Sequence, residues 1–288
     1  MRRGVSVKLF LVDGTPEGLK VVEKSNWTGI GLMCSRVQFA DIQKRPEFNR
    51  PCVYVLLGPN ESDGQPRIYI GEADVARLRI AQHAKGFDFW THFILFTSKD
   101  PNLNKAHVKY LESRLVGLAH EAKRVHLENK NIPPSPQLAE ADIADVESFL
   151  DDMLILYPLL GLHAFETVKE SSTARLNDDL LLTLNGPGTN ALGKQTSEGL
   201  VVLKDSRGRV YETPSMHEYG RSIRKSLVGS GVLRLEGDQY VVTQDYPFDS
   251  PSTAAMVLLG RAANGRTEWK TKSGSTLKSM QDDPLKSP

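Results

Sequence analysis

From Lys105 to Lys130 the apolar residues Val108, Leu111, Leu115, Leu118, Ala122 and Val125 recur at alternating spacings of three and four. That period lays one helical face on a core, so the stretch predicts an amphipathic helix over 105–130. Pro133-Pro134-Ser135-Pro136 stops it, because proline lacks the amide donor and pushes the preceding residue towards extended backbone. A second helix is expected from Glu140 to about Tyr157. Upstream, residues 5–12 and 31–39 read as strands separated by the turn Asp13-Gly14-Thr15-Pro16. Cys52 to Leu57 and the RIYIG run form a β-hairpin joined by a polar, glycine-containing loop at 58–66. Asp74 stands as an N-cap for a helix ending near Gly86, and 92–97 is a third strand.

A chain of 288 residues exceeds the usual size of one core, so two domains are expected. The boundaries fall at an N-terminal β-rich segment, 1–50, a domain at 51–165, and a second domain at 170–280 with a frayed tail, 281–288. Residues 166–185 read as a linker entering a strand, LLLTLN. Beyond it, LVVLKD, RVY and QYVVT read as short strands, and Ser250-Pro251 opens a helix as N-cap and N1. The fold class is therefore α+β. No apolar run approaches the length of a membrane span, and the start, MRRGVSVKLFLVDG, lacks the long apolar region of a secretory signal, which implies a cytoplasmic protein. Two cysteines, Cys34 and Cys52, are too few for a disulfide framework or a thiolate zinc site.

The net charge of +1 does not announce a nucleic-acid binder, but its distribution is uneven. Arg67 to Lys130 holds eleven Lys and Arg against seven acids, and Glu140 to Asp152 carries only acidic charges. Within the basic stretch, Arg79 and His83 are four apart and share one helical face, while Glu112 adjoins the apolar stripe of the long helix. A carboxylate there can hold a partly hydrated Mg²⁺ with waters and phosphate oxygens.

These residues resemble the GIY-YIG nuclease family. Val53-Tyr54 after Cys52 looks like the first motif, with CVY in place of GIY, and Tyr69-Ile70-Gly71 reproduces the second. Arg79 and His83 stand where the family places its Arg and His, Glu112 matches its metal-binding glutamate, and Asn129 or Asn131 matches its final asparagine. The resemblance implies a small antiparallel sheet flanked by helices and a metal-dependent endonuclease acting on DNA with Mg²⁺ or Mn²⁺. Tyr54 would accept the proton of the attacking water, Tyr69 would assist, His83 would hydrogen-bond Tyr54 or relay its proton, and Arg79 would stabilise the phosphate. One such site cuts one strand, so double-strand cleavage requires a homodimer or two successive events. The alternative is a catalytically silent nucleic-acid-binding or interaction module that keeps the fold.

Two features of the second half complete the reading. GTNALGKQT, from Gly188, falls short of a phosphate-binding loop because Gln195 follows Lys194 where a hydroxyl residue must reach Mg²⁺. The stretch around DYPFDSPSTAAMVLLGRAANGRTEWKTKSG resembles a small uncharacterised domain appended to GIY-YIG proteins. Its Trp269, Arg261, Arg266, Lys270 and Lys272 would suit stacking and phosphate contacts with nucleic acid.

Overall fold

The strand Cys52–Gly58 is apolar on consecutive rather than alternate residues, the pattern of a strand covered on both faces. It is central in the computed structural model, which describes residues 4–59, 65–166, 181–196 and 199–282. The loop expected at 58–66, the linker at 166–185 and the tail at 281–288 thus lie largely outside the described residues. The chain divides into two units, Met1–Thr167 and Val168–Pro288.

The first unit runs β1 (Val7–Leu11), β2 (Lys20–Lys24), β3 (Gly29–Ser35), α1 (Phe39–Ile42), β4 (Cys52–Gly58), β5 (Arg67–Ala73), α2 (Ala76–Gly86), β6 (His92–Ser98), α3 (Lys105–Ala122), β7 (His126–Leu127) and α4 (Glu140–Leu159). One seven-stranded sheet has the order β1-β2-β3-β6-β4-β5-β7. Every pairing is antiparallel except the short parallel contact of β7 with Arg67 and Ile68 of β5. Val53, Val55, Ile68 and Ile70 point to one face, where they pack with Val108, Leu111 and Leu115 of α3 and Leu150 and Met153 of α4. Cys52, Tyr54, Leu56 and Ala73 point to the other, against Phe39, Phe48, Ile80 and Trp90.

Three local expectations change. The segment 1–50 does not stand apart, because β3 pairs with β6 along its full length and so joins the central sheet. The long helix ends at Ala122 rather than near Lys130: Lys123 turns left-handed, with φ 53°, and its amide donates to Ala119 O. Val125 nonetheless packs on the core from the bend between α3 and β7, which is why the helical period outlasts the helix. Asp74 does not cap α2. Val75 occupies that position without a side-chain cap bond, and Asp74 instead lies 3.2 Å from Lys105 Nζ.

The second unit runs β8 (Leu181–Gly186), β9 (Thr189–Thr196), β10 (Gly199–Val202), β11 (Arg207–Arg209), α5 (Glu218–Gly229), β12 (Leu233–Glu236), β13 (Gln239–Val242), β14 (Tyr246–Phe248), α6 (Pro251–Leu259), α7 (Gly265–Glu268), β15 (Lys270–Thr271) and α8 (Leu277–Asp282). Its antiparallel sheet has the order β12-β13-β11-β9-β10-β14, with β8 beside β9 and β15 beside β8. The Ser250 side chain accepts from Thr253 N and caps α6. Helix α5, unmarked in the strand pattern, is fastened to α6 by buried Arg224, whose Nε donates to Val257 O at 3.0 Å. The near phosphate-binding loop is strand β9, with Gly188 at φ +70° in the turn before it and no helix after it. Among the described residues no helix is long and apolar enough to cross a membrane. The whole is α+β, with a multistranded sheet in each unit.

Candidate functional site

Tyr54 faces Gly71 across the β4–β5 pair. A Cβ built on Gly71 would lie 2.4 Å from Tyr54 Oη, so the glycine is the floor across which the phenol lies. Helix α2 closes the space above. Tyr54 Oη and His83 Nε2 are 2.7 Å apart, and both side chains are enclosed, at 0% and 8% exposure. Tyr69 and Phe87 each set a ring 5.0 Å from the His83 ring, Phe87 stacked on it.

Burial, with the Arg79 cation second, pushes the His83 imidazole down to about 4, so at neutral pH it is uncharged, and in the tautomer protonated on Nδ1 its Nε2 accepts from the Tyr54 hydroxyl. Burial raises both phenols above their ordinary range, and Arg79 opposes that rise at each, which puts its guanidinium beside Tyr54 and Tyr69 together. Arg79 itself is exposed and donates to Gln82 Oε1.

β7 pairs only with the first two residues of β5, so the rest of β5 forms an edge, and α2 and α3 lie on its two faces. Glu112 of α3 interacts electrostatically with Tyr69 and Arg79 there. Burial first, and then the neighbouring carboxylate of Glu72, push Glu112 up to about 7, against the pull of Arg79, Lys105 and Lys109. Glu72 is held by Lys105 Nζ at 2.7 Å, whereas Glu112 makes no hydrogen bond or ion pair to another described residue. A half-buried carboxylate left unpaired suits a divalent cation, whose charge would favour its ionised form. Among the described residues no group of three or more His, Cys, Asp or Glu is arranged to hold a metal, so the fit is to an ion bound through one carboxylate and waters.

The structure thus brings Tyr54, Tyr69, Arg79 and His83 into one cluster with Glu112 within electrostatic reach. Asn129 acts through the backbone: its Oδ1 accepts from Ile70 N at 2.9 Å and its Nδ2 donates to Ile70 O at 2.8 Å, extending the β5 edge as a strand would. Asn131 is exposed. Cys52 is fully buried and its thiol is pushed far up by burial, so it packs rather than reacts. Sequence reasoning missed Glu72, although strand alternation after Tyr69-Ile70-Gly71 places it on the face that meets α3. A cleft of about 480 Å³ lies apart from the cluster, lined by Arg50, Thr97, Lys99, Asp100 and Lys105, and of these Lys105 alone reaches one of the groups above, Glu72.

In the second unit the expected basic-aromatic cluster is divided: Lys270 and Lys272 are exposed, while Trp269, Arg261 and Arg266 are engaged within the fold. Trp269 is 0% exposed and donates from Nε1 to Pro251 O at 3.0 Å, so no base can stack on it. Arg261 is paired with Glu268 and Arg266 with Asp282. Residues 182–281 match the family model of DUF4357, a domain of unknown function. No curated protein and no solved structure matches the chain. The DUF4357 match lies within the second unit and carries no activity with it.

Proposed function

We propose that the first unit is a GIY-YIG-type endonuclease that hydrolyses DNA phosphodiester bonds with a divalent metal. The observation that carries the reading is the convergence, at one sheet edge, of two phenols, a guanidinium, a neutral imidazole and an unpaired carboxylate from β4, β5, α2 and α3. Mg²⁺ or Mn²⁺ on Glu112 would supply neutralisation of charge at the scissile phosphate and the leaving oxygen. Arg79 faces solvent beside both phenols, where its guanidinium binds phosphoryl oxygens and compensates charge gathering on them. Tyr54 takes the proton of the attacking water as its own hydroxyl proton passes to His83 Nε2, and Arg79 offsets part of the cost that burial places on negative charge at the phenol oxygen. Lys105 holds Glu72 and so limits the negative charge around Glu112.

One observation favours a second assignment of the base. Tyr54 is 0% exposed, whereas Tyr69 is partly open and sits by both Arg79 and Glu112. In that version Tyr69 reaches the water, and the Tyr54–His83 pair forms the wall that positions it.

The test is nicking of supercoiled plasmid with Mg²⁺ or Mn²⁺ by the wild type and by Arg79→Ala, Glu112→Ala, Tyr54→Phe and Tyr69→Phe. Loss in the first two variants supports the nuclease. Of the two phenols, the one whose loss abolishes nicking is the base. Activity unchanged in Glu112→Ala would sink the metal site, and no nicking by any protein would move the reading to a nucleic-acid-binding module without turnover.

A further inference from the structure

In the second unit α5 and α6 pack on one face of the sheet; on the other, Val241 and Val201 are buried while Arg207, Arg234, Asn190 and Asn185 are exposed. Leu182, Leu184, Ala191, Leu200, Val202 and Leu233 point to the core shared with α5 and α6. Gly208 confirms the polarity of β11, since a Cβ there would meet Leu258 of α6 at 3.0 Å. Its neighbours Arg207 and Arg209 therefore point the other way.

The strand pairings line up what the open face carries. Arg234, Val241, Arg207, Asn190 and Asn185 sit side by side on β12, β13, β11, β9 and β8. Five neighbouring strands span about 19 Å. The next rows add exposed Leu192 beside Thr183, then Lys270 and Lys194. At the end of β11, Tyr211 is 62% exposed and lies under the Arg209 guanidinium, 4.6 Å from the ring centroid. Against these cations, the described strands of this face hold one acid, Glu236, which pairs with Arg234 and approaches Arg207 at 3.9 Å.

A face with guanidiniums on β12 and β11 either side of Val241, amides on β9 and β8 and a solvent-exposed ring nearby has the chemistry of a single-strand platform. Guanidinium and ammonium groups meet phosphates, Asn side chains meet base edges, and Leu192 and Tyr211 meet base faces. A duplex keeps its base faces stacked inside, out of reach of Leu192 and Tyr211, whereas a single strand can lay them on these side chains. We infer that the open sheet face of the second unit binds single-stranded DNA, with the strand crossing β12, β13, β11 and β9 over Arg234, Arg207 and Asn190. The choice of DNA over RNA rests on the nuclease reading; the choice of single strand over duplex rests on the face itself.

The test uses the full chain in EDTA, so that turnover plays no part and its outcome is separable from that of the nicking assay. Fluorescence anisotropy with labelled dT20 compares wild type with Arg207→Glu/Arg234→Glu and with Lys225→Glu/Lys278→Glu, a control of equal charge change placed on exposed positions of α5 and α8. The expected result is at least tenfold weaker binding for the sheet-face variant and less than twofold for the control. The log-log salt slope should shrink by about 0.7 for each cation removed. Circular dichroism and thermal melting check folding, and Arg207→Gln/Arg234→Gln replaces the reversal if it fails to fold. Equal loss in both variants, or none in either, overturns the site. A duplex of the same length bound as tightly as dT20 overturns the single-strand choice, and tighter binding of U20 overturns the choice of DNA.

Discussion

The two sheets manage polar groups in opposite ways. The first is sandwiched between helices, so any polar side chain within it is dehydrated and must be paired or carry a cost. Tyr54, His83 and Glu112 are such groups, and all three are pushed off their ordinary pKa values. The second sheet leaves part of one face in water, where Arg207, Arg234 and Lys270 keep their hydration and cost little. Perturbed groups in a dehydrated edge suit chemistry; exposed cations on a sheet face suit binding.

The contrast can be broken first at its strongest point. Trp269→Ala, in the core beneath the second sheet, should cost about 3–5 kcal/mol in urea denaturation, as expected of a packed indole. A much smaller loss would mean that the indole is not holding this core. Next, Arg79→Ala or Glu112→Ala should slow nicking by about 10²–10³-fold while leaving the melting temperature within a few degrees, the size of one lost electrostatic contact to the reacting phosphate. A large fall in melting temperature instead would assign these groups to the fold.

His83 gives a pH-dependent form of the same comparison. Its folded value of about 4 lies below the ordinary 6.5, so between these pH values the unfolded chain binds more protons. The His83 contribution therefore rises with pH through that window and is lost as pH falls, on the order of 2 kcal/mol in all, whereas Glu112, pushed up to about 7, contributes with the opposite sign over the same range. Urea titrations at pH 4.5 and 7 should read the His83 part as a difference, the wild type gaining more, or losing less, stability on going to pH 7 than His83→Gln does. Gly71→Ala should cost about 1–3 kcal/mol, because its methyl meets a Tyr54 ring that has no room to retreat. Tyr54→Leu should recover part of that loss, and a neutral Gly71→Ala would mean that the β4–β5 floor is softer than its geometry. The smallest effect belongs to the open face: Arg234→Gln should change stability by no more than about 0.5 kcal/mol.

Residues whose role depends on near neighbours were readable without coordinates. The period through Leu111 and Leu115 marks the face that α3 buries, and Ser250-Pro251 marks where α6 starts. Arg79 and His83 follow from their spacing once α2 is recognised. What misled was information that is not local. Val125 keeps the helical period after the helix has ended, because the core accepts an apolar side chain from a bend as readily as from a helix. Trp269 stands among cations in the sequence yet lies at the centre of a core, since neighbours along the chain say nothing of which side faces water.

The sequence by itself determined the amphipathic helix, the strands that carry Tyr54 and Tyr69, and the capped start of α6, because propensity, period and capping act over a few residues. Tertiary structure alone decided that β1 to β3 join the central sheet and that Glu72 lies near Glu112. It likewise aligned Arg234, Arg207 and Asn190 in one row. Strand register and the choice of covered face are set by pairings between distant segments, and no short window of sequence contains both partners.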